Sequence, residues 1–139
     1  MKDYLPIFAE KIDKKQVDML NAGVLSFVGD SVQTLFVRTK LAVTKTLNTW
    51  AMHKTTASVV NATAQAKASH KILGVLTECE LAVFKRCRNH KTGTVAKNAS
   101  VVDYKIASGL EGLIGYLYLV GEHDRLLELL NLGFSDKEQ

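Results

Sequence analysis

The chain has 139 residues and a mass of 15.3 kDa, of which 47% are apolar and 23% charged. That suffices to bury a core in one domain and excludes disorder as a global description. Apolar runs stay below the roughly eighteen residues of a spanning helix, and the charged start through Glu10, Lys11 and Asp13 is not a signal-peptide pattern.

Residues 1–15 are mixed and charged, and read as an arm or a short first helix. From Val17 the apolar residues Leu20, Val24, Leu25, Val28, Val32, Leu35 and Phe36 keep a helical period, which predicts one long helix to about Leu41. With Phe27 beside Val28, that helix is apolar over most of its circumference and is expected to be central and buried. Asn48 or Thr49 is the expected cap of a second, alanine-rich helix carrying Met52, Val59, Val60 and Ala62 to Ala68, closing near Leu73 to Leu76. Thr77 with Glu80 three residues later has capping-box spacing and predicts a short helix to about Arg86. Periodicity then stops, and Cys87 to Asn98 reads as a loop. A helix resumes at Ser100 or Val101 and ends at Gly121. A last helix runs from Asp124 to about Leu132, with Gly133 as its stop. With Pro6 the only proline, the expected fold class is all-α, a compact bundle of five to seven helices forming a single domain over 1–139.

Charge is unevenly spread. Between Ser31 and Leu110 stand twelve bases against the acids Glu78, Glu80 and Asp103, a net +9, while the two ends together carry −5. A basic middle is the footprint of a protein that meets a polyanion, and equally that of an ordinary solvated face. Charge alone leaves both readings open.

Two acids stand alone among apolar neighbours. Asp30 lies in Leu25-Ser26-Phe27-Val28-Gly29-Asp30-Ser31-Val32, and Glu111 in Ala107-Ser108-Gly109-Leu110-Glu111-Gly112-Leu113-Ile114-Gly115. A buried carboxylate needs a partner; an exposed place on a polar stripe is the alternative for each. Gly109, Gly112 and Gly115 step by three, each costing roughly 1 kcal/mol relative to alanine in a helix. They point to close approach of another helix or a ligand. Two carboxylates on two core helices can converge on one divalent cation, and Mg²⁺ suits such a pair because water and substrate phosphate complete its shell. The segment Lys85-Arg86-Cys87-Arg88-Asn89-His90-Lys91-Thr92-Gly93 offers cations and donors to a phosphate backbone but no aromatic ring for base stacking. The free thiols Cys79 and Cys87 make no disulfide framework, and a zinc site with His70 and His90 has no recognised spacing.

Phe27-Val28-Gly29-Asp30-Ser31-Val32 resembles the signature helix of ribonuclease III, E-x-x-E-F-L-G-D-[AS]. Leu110-Glu111-Gly112-Leu113-Ile114-Gly115 resembles that family's later motif, D-x-x-E-A-L-I-G. The basic segment, Lys97-Asn98 and Gly115-Tyr116-Leu117-Tyr118-Leu119 are similar to the short branch of the family that lacks a double-stranded RNA-binding domain. Two departures stand out: the signature glutamates fall at Gly23 and Ser26, and the second motif's aspartate falls at Ser108. The resemblance implies an Mg²⁺-dependent endoribonuclease of double-stranded RNA, with Mn²⁺ as a substitute and Asp30 and Glu111 as metal ligands and catalytic residues. It implies RNA contacts at Arg86, Arg88, Asn89, Lys91 and Lys97, and in a second tier at His53, Lys54, Gln65 and Lys67. It further implies a cytoplasmic homodimer that matures precursor 23S ribosomal RNA with a ribosomal protein as helper, and no membrane. A catalytically inactive RNA-binding module on the same fold is the alternative.

Overall fold

The computed structural model describes residues 12–44, 48–90 and 100–135. Among them are seven α-helices: α1 (Lys14–Asp18), α2 (Ala22–Thr44), α3 (Thr49–Val59), α4 (Ala62–Ile72), α5 (Glu78–Arg88), α6 (Val101–Leu119) and α7 (His123–Gly133). A short 3-10 turn, Leu73–Val75, follows α4. The all-α expectation holds. No helix among the described residues is long and apolar enough to cross a membrane.

The first long helix is two. The chain breaks at Met19, Leu20 and Asn21, because the Asn21 side-chain oxygen accepts the Gly23 N–H at 2.6 Å and its carbonyl accepts from Val24 and Leu25. A local amide outcompetes continuation of the helix there. The alanine-rich helix is also two. Asn61 accepts the Ala64 N–H at 2.9 Å and starts α4, while its side-chain nitrogen donates to the carbonyls of Ala57 and Ser58 and closes α3. Asn48 and Thr77 cap α3 and α5 as expected, with the full capping box at Thr77 and Glu80, and Ser100 caps α6, whose start was expected at Ser100 or Val101. Gly121 ends α6 with φ 82°, and the Glu122 N–H reaches back to the Leu117 carbonyl at 3.0 Å. Gly133 does not stop α7 but closes its last turn.

The centre of the bundle is α6, with Gly109, Leu110, Gly112 to Leu117 all buried. It packs along α2 more extensively than any other pair of helices. Two glycines make that possible. A Cβ on Gly115 would overlap the Leu25 carbonyl, and one on Gly29 would overlap the Glu111 carbonyl. On the other side of α6, a Cβ on Gly112 would strike Cys87 and one on Gly109 would strike Phe84. The glycine steps in the sequence are therefore helix contacts, to α2 and to α5. Cys87 and Arg88 belong to α5 and not to a loop, because the Cys87 thiol fills the gap above Gly112.

The α2 helix is less central than its apolar composition suggests. Leu25, Val32, Phe36, Val37 and Leu41 face the core, whereas Phe27 is 77% exposed and Val24 and Leu35 are exposed beside it. Gln33 is buried among the core residues, and neither polar atom of its amide has a partner among the described residues.

A second tie joins α5 to α7. The Arg125 guanidinium donates from Nε and Nη2 to the two carboxylate oxygens of the buried Glu80, at 2.9 and 2.8 Å, and also to the Val75 carbonyl at 2.7 Å. The Arg125 side chain holds the Glu80 carboxyl below its usual range. Stability from this pair is present above the ordinary carboxylate value and is lost as pH falls through the lowered one. Glu80→Gln should cost about 2 kcal/mol at neutral pH. In denaturant melts, the gap to wild type should narrow as pH drops below the ordinary value of 4.5. Gly115→Ala should destabilise by about 3 kcal/mol, since main chain and not a flexible side chain stands in the way. Gly74→Ala, with open space around it, should be close to neutral in the same thermal melts.

Candidate active site

The crossing of α2 and α6 sets the site. Asp30 follows Gly29 on α2, and Glu111 precedes Gly112 on α6. Because the Gly29 backbone lies against the Glu111 carbonyl, the two acids are held side by side. Asp30 is exposed and Glu111 half-buried. Burial pushes the Glu111 carboxyl up to about 8, and the Asp30 carboxylate, close enough to share a hydrogen bond, adds to the rise. The Gln65 amide on α4 works against it, donating from Nε2 to Glu111 Oε2 at 3.1 Å.

Two adjacent carboxylates in low dielectric can be relieved in two ways: they share a proton, or they hold a cation. The donor set is hard oxygen, suited to Mg²⁺ or Mn²⁺. Among the described residues no group of three or more histidine, cysteine or acidic side chains is placed to hold a metal. A divalent cation at Asp30 and Glu111 would thus complete its shell with water and with ligand oxygens, the arrangement Mg²⁺ favours beside a phosphate. The zinc arrangement is not formed: Cys87 is buried against Gly112, and Cys79 is exposed, 3.8 Å from the Tyr116 hydroxyl.

The positions where the resembled motifs carry further acids have other work. The Ser26 hydroxyl donates to the Ser108 carbonyl at 3.0 Å and ties α2 to α6. Gly23 lies beside the His90 imidazole, which brings the end of α5 next to the start of α2.

The basic candidates fall in two places. Arg86, Arg88 and Asn89 lie at the end of α5. The Arg86 Nη1 donates to the Leu20 carbonyl at 3.0 Å, and the Arg88 Nε to Asn89 Oδ1 at 3.0 Å. His53, Lys54 and Lys67 are exposed on α3 and α4. Lys91 and Lys97 lie outside the described residues. Gln65 stands apart from the other candidate RNA contacts: it is 4% exposed and turned inward onto Glu111. Its place was available in the sequence pattern, since Gln65, Ala68, Ser69 and Ile72 share a helical period and form the buried stripe of α4.

A family model described as Ribonuclease III domain matches residues 23–122. The chain belongs to the ribonuclease III family, the class of endoribonucleases that act on double-stranded RNA. Within that class it is similar to Mini-ribonuclease 3 proteins. It is 42% identical over 125 residues to that of Clostridium tetani, covering 88% of this chain and 82% of the relative. It is 41% identical over 130 residues to that of Thermoanaerobacter sp., covering 94% and 92%. A crystal structure of a Fusobacterium nucleatum protein aligns with a TM-score of 0.76 at 28% identity, over 84% of this chain and 93% of that one.

Gln65→Leu conserves volume and removes the one donor seen on Glu111. It should cost about 1–2 kcal/mol in stability, within the range for a partly buried polar group that loses its hydrogen-bond partner. In single-turnover RNA cleavage it should lower the rate by roughly tenfold or more through misplacement of the carboxylate. A rate equal to wild type would show that Gln65 does not orient Glu111.

Proposed function

We propose that this chain cuts double-stranded RNA by an Mg²⁺-dependent reaction at Asp30 and Glu111, with Mn²⁺ able to substitute. The observation that carries the reading is the enforced neighbourhood of two carboxylates, one of them half-buried and raised in pKa, at a main-chain crossing. When bound, the divalent ion supplies Lewis-acid activation of water and offsets charge at the scissile phosphate. Asp30 and Glu111 hold that ion as ionised ligands. Gln65 fixes the Glu111 carboxylate by its amide. Arg86, Arg88, Asn89, Lys91 and Lys97 contact the RNA backbone, with His53, Lys54 and Lys67 as further contacts. Such contacts set position on an A-form duplex and carry little sequence information.

The functional unit in this reading is one catalytic domain, with its core at about 20–133, paired as a symmetric homodimer whose subunits each cut one strand. The exposed apolar residues Val24, Phe27 and Leu35 along α2 support a self-complementary interface. From family resemblance we assign precursor 23S ribosomal RNA as substrate, a ribosomal protein as helper and the cytoplasm as the place of action.

The test is incubation with precursor ribosomal RNA and with generic duplex RNA, with Mg²⁺ or with EDTA. Cleavage should require Mg²⁺, while binding survives EDTA. Asp30→Asn should abolish cleavage, with folding intact and RNA affinity retained or increased. Turnover by Asp30→Asn at the wild-type rate would sink the site. Binding without any cleavage by wild type would establish the inactive RNA-binding module instead.

A further inference from the structure

Trp50 is the only tryptophan of the chain, and it is 69% exposed in the first turn of α3. An indole is among the largest apolar surfaces a protein can bury, so its exposure here leaves a large flat ring available to a partner. One turn on, the Lys54 ammonium lies 4.8 Å from the ring centroid, in cation–π contact. His53 is exposed next to it, and Lys67 and His70 are exposed on α4. The sequence from Ser31 to Thr77 holds no aspartate or glutamate, against six lysines and arginines and two histidines. The ring therefore stands on a segment that carries cations and no acids, which complements a polyanion.

We propose that Trp50 and Lys54 form a stacking platform for an unpaired nucleobase of the bound RNA. The inference rests on the reading above, that the chain binds RNA. It adds a specificity element to it. In an A-form duplex the base faces are hidden in the stack, so an aromatic ring can stack only on a base that has left it, at a bulge, a loop or an end. The indole takes the face of that base, and Lys54 and His53 meet the phosphates flanking it. The chain thereby distinguishes duplex RNA with a neighbouring unpaired nucleotide from a perfect duplex, a distinction that backbone contacts alone do not make.

The experiment uses the full chain in EDTA, so that RNA stays intact. The RNAs are a perfect duplex and a series of the same duplex with a single-adenosine bulge moved one base pair at a time. Because Trp50 is the sole indole, intrinsic fluorescence reports on it alone. At one or more bulge positions the quenching should exceed that given by the perfect duplex. By anisotropy of labelled RNA, Trp50→Leu should lose about tenfold in affinity for those bulged RNAs and stay within about twofold on the perfect duplex, the effect of one base–aromatic stack. Trp50→Phe should recover most of the loss, since it restores a ring, whereas leucine supplies only apolar bulk. Equal affinity of Trp50→Leu and wild type for every bulged RNA overturns the proposal, and so does an equal loss on perfect and bulged RNA. A change in sedimentation of Trp50→Leu without RNA would assign the ring to contact between copies of the chain, and overturns it too. Failure of wild type to bind even the perfect duplex would instead overturn the parent reading, and this inference with it.

Discussion

The main-chain contact between α2 and α6 is the constraint on which the rest depends. Gly29 and Gly115 let each helix lay its backbone on a carbonyl of the other, at Glu111 and Leu25. Each acid of the site is the immediate neighbour of a glycine that makes a close contact, Asp30 after Gly29 and Glu111 before Gly112. The α4 and α5 helices dock on α6 around this crossing. The α5 helix enters through Phe84 and Cys87 onto Gly109 and Gly112, and α4 presents Gln65 to Glu111. Packing and the candidate site therefore share the same few residues.

Two glutamates show how environment divides one residue type between opposite tasks. Glu80 is buried against the Arg125 fork and the Thr77 amide, and its charge is fully matched. Glu111 is half-buried with a second carboxylate for a neighbour and, among the described residues, the neutral Gln65 amide as donor. The first arrangement is closed and structural. The second retains a demand for positive charge that the described side chains do not supply. Burial raises the Glu111 carboxyl and the Asp30 carboxylate adds to the rise, whereas the Arg125 fork outweighs burial at Glu80 and lowers its carboxyl.

Much of this was legible from local pattern. The caps at Asn48, Thr77 and Ser100, the stop at Gly121 and the glycine steps on α6 are decided by residues within a few positions of one another. The helix breaks were not, because Asn21 and Asn61 are single polar residues within otherwise periodic segments. Only their side-chain geometry shows that they turn back onto the main chain. Phe27 misled for another reason: hydrophobicity tells that a residue favours burial, not that its own chain covers it. Cys87 depended on a tertiary partner, Gly112, 25 positions away, and although the period of α4 turns Gln65 inward, its acceptor Glu111 lies 46 positions away. The exposed ring of Trp50 was likewise outside the reach of periodicity, which sorts apolar residues inward by default.

The spacing of Asp30 and Glu111 is measured out by two peptide backbones and not by adjustable side chains. A site built this way has little freedom to loosen ahead of the fold, because the contact that spaces the acids is the same contact that holds the two longest helices together. Heat inactivation and loss of tertiary structure should then be one cooperative event, without the early softening seen where functional groups ride on surface loops. The same rigidity narrows the chain's evolutionary options. The two carboxylates can change by single side-chain replacements that leave the crossing intact, but the distance between them can be retuned only by rebuilding the core.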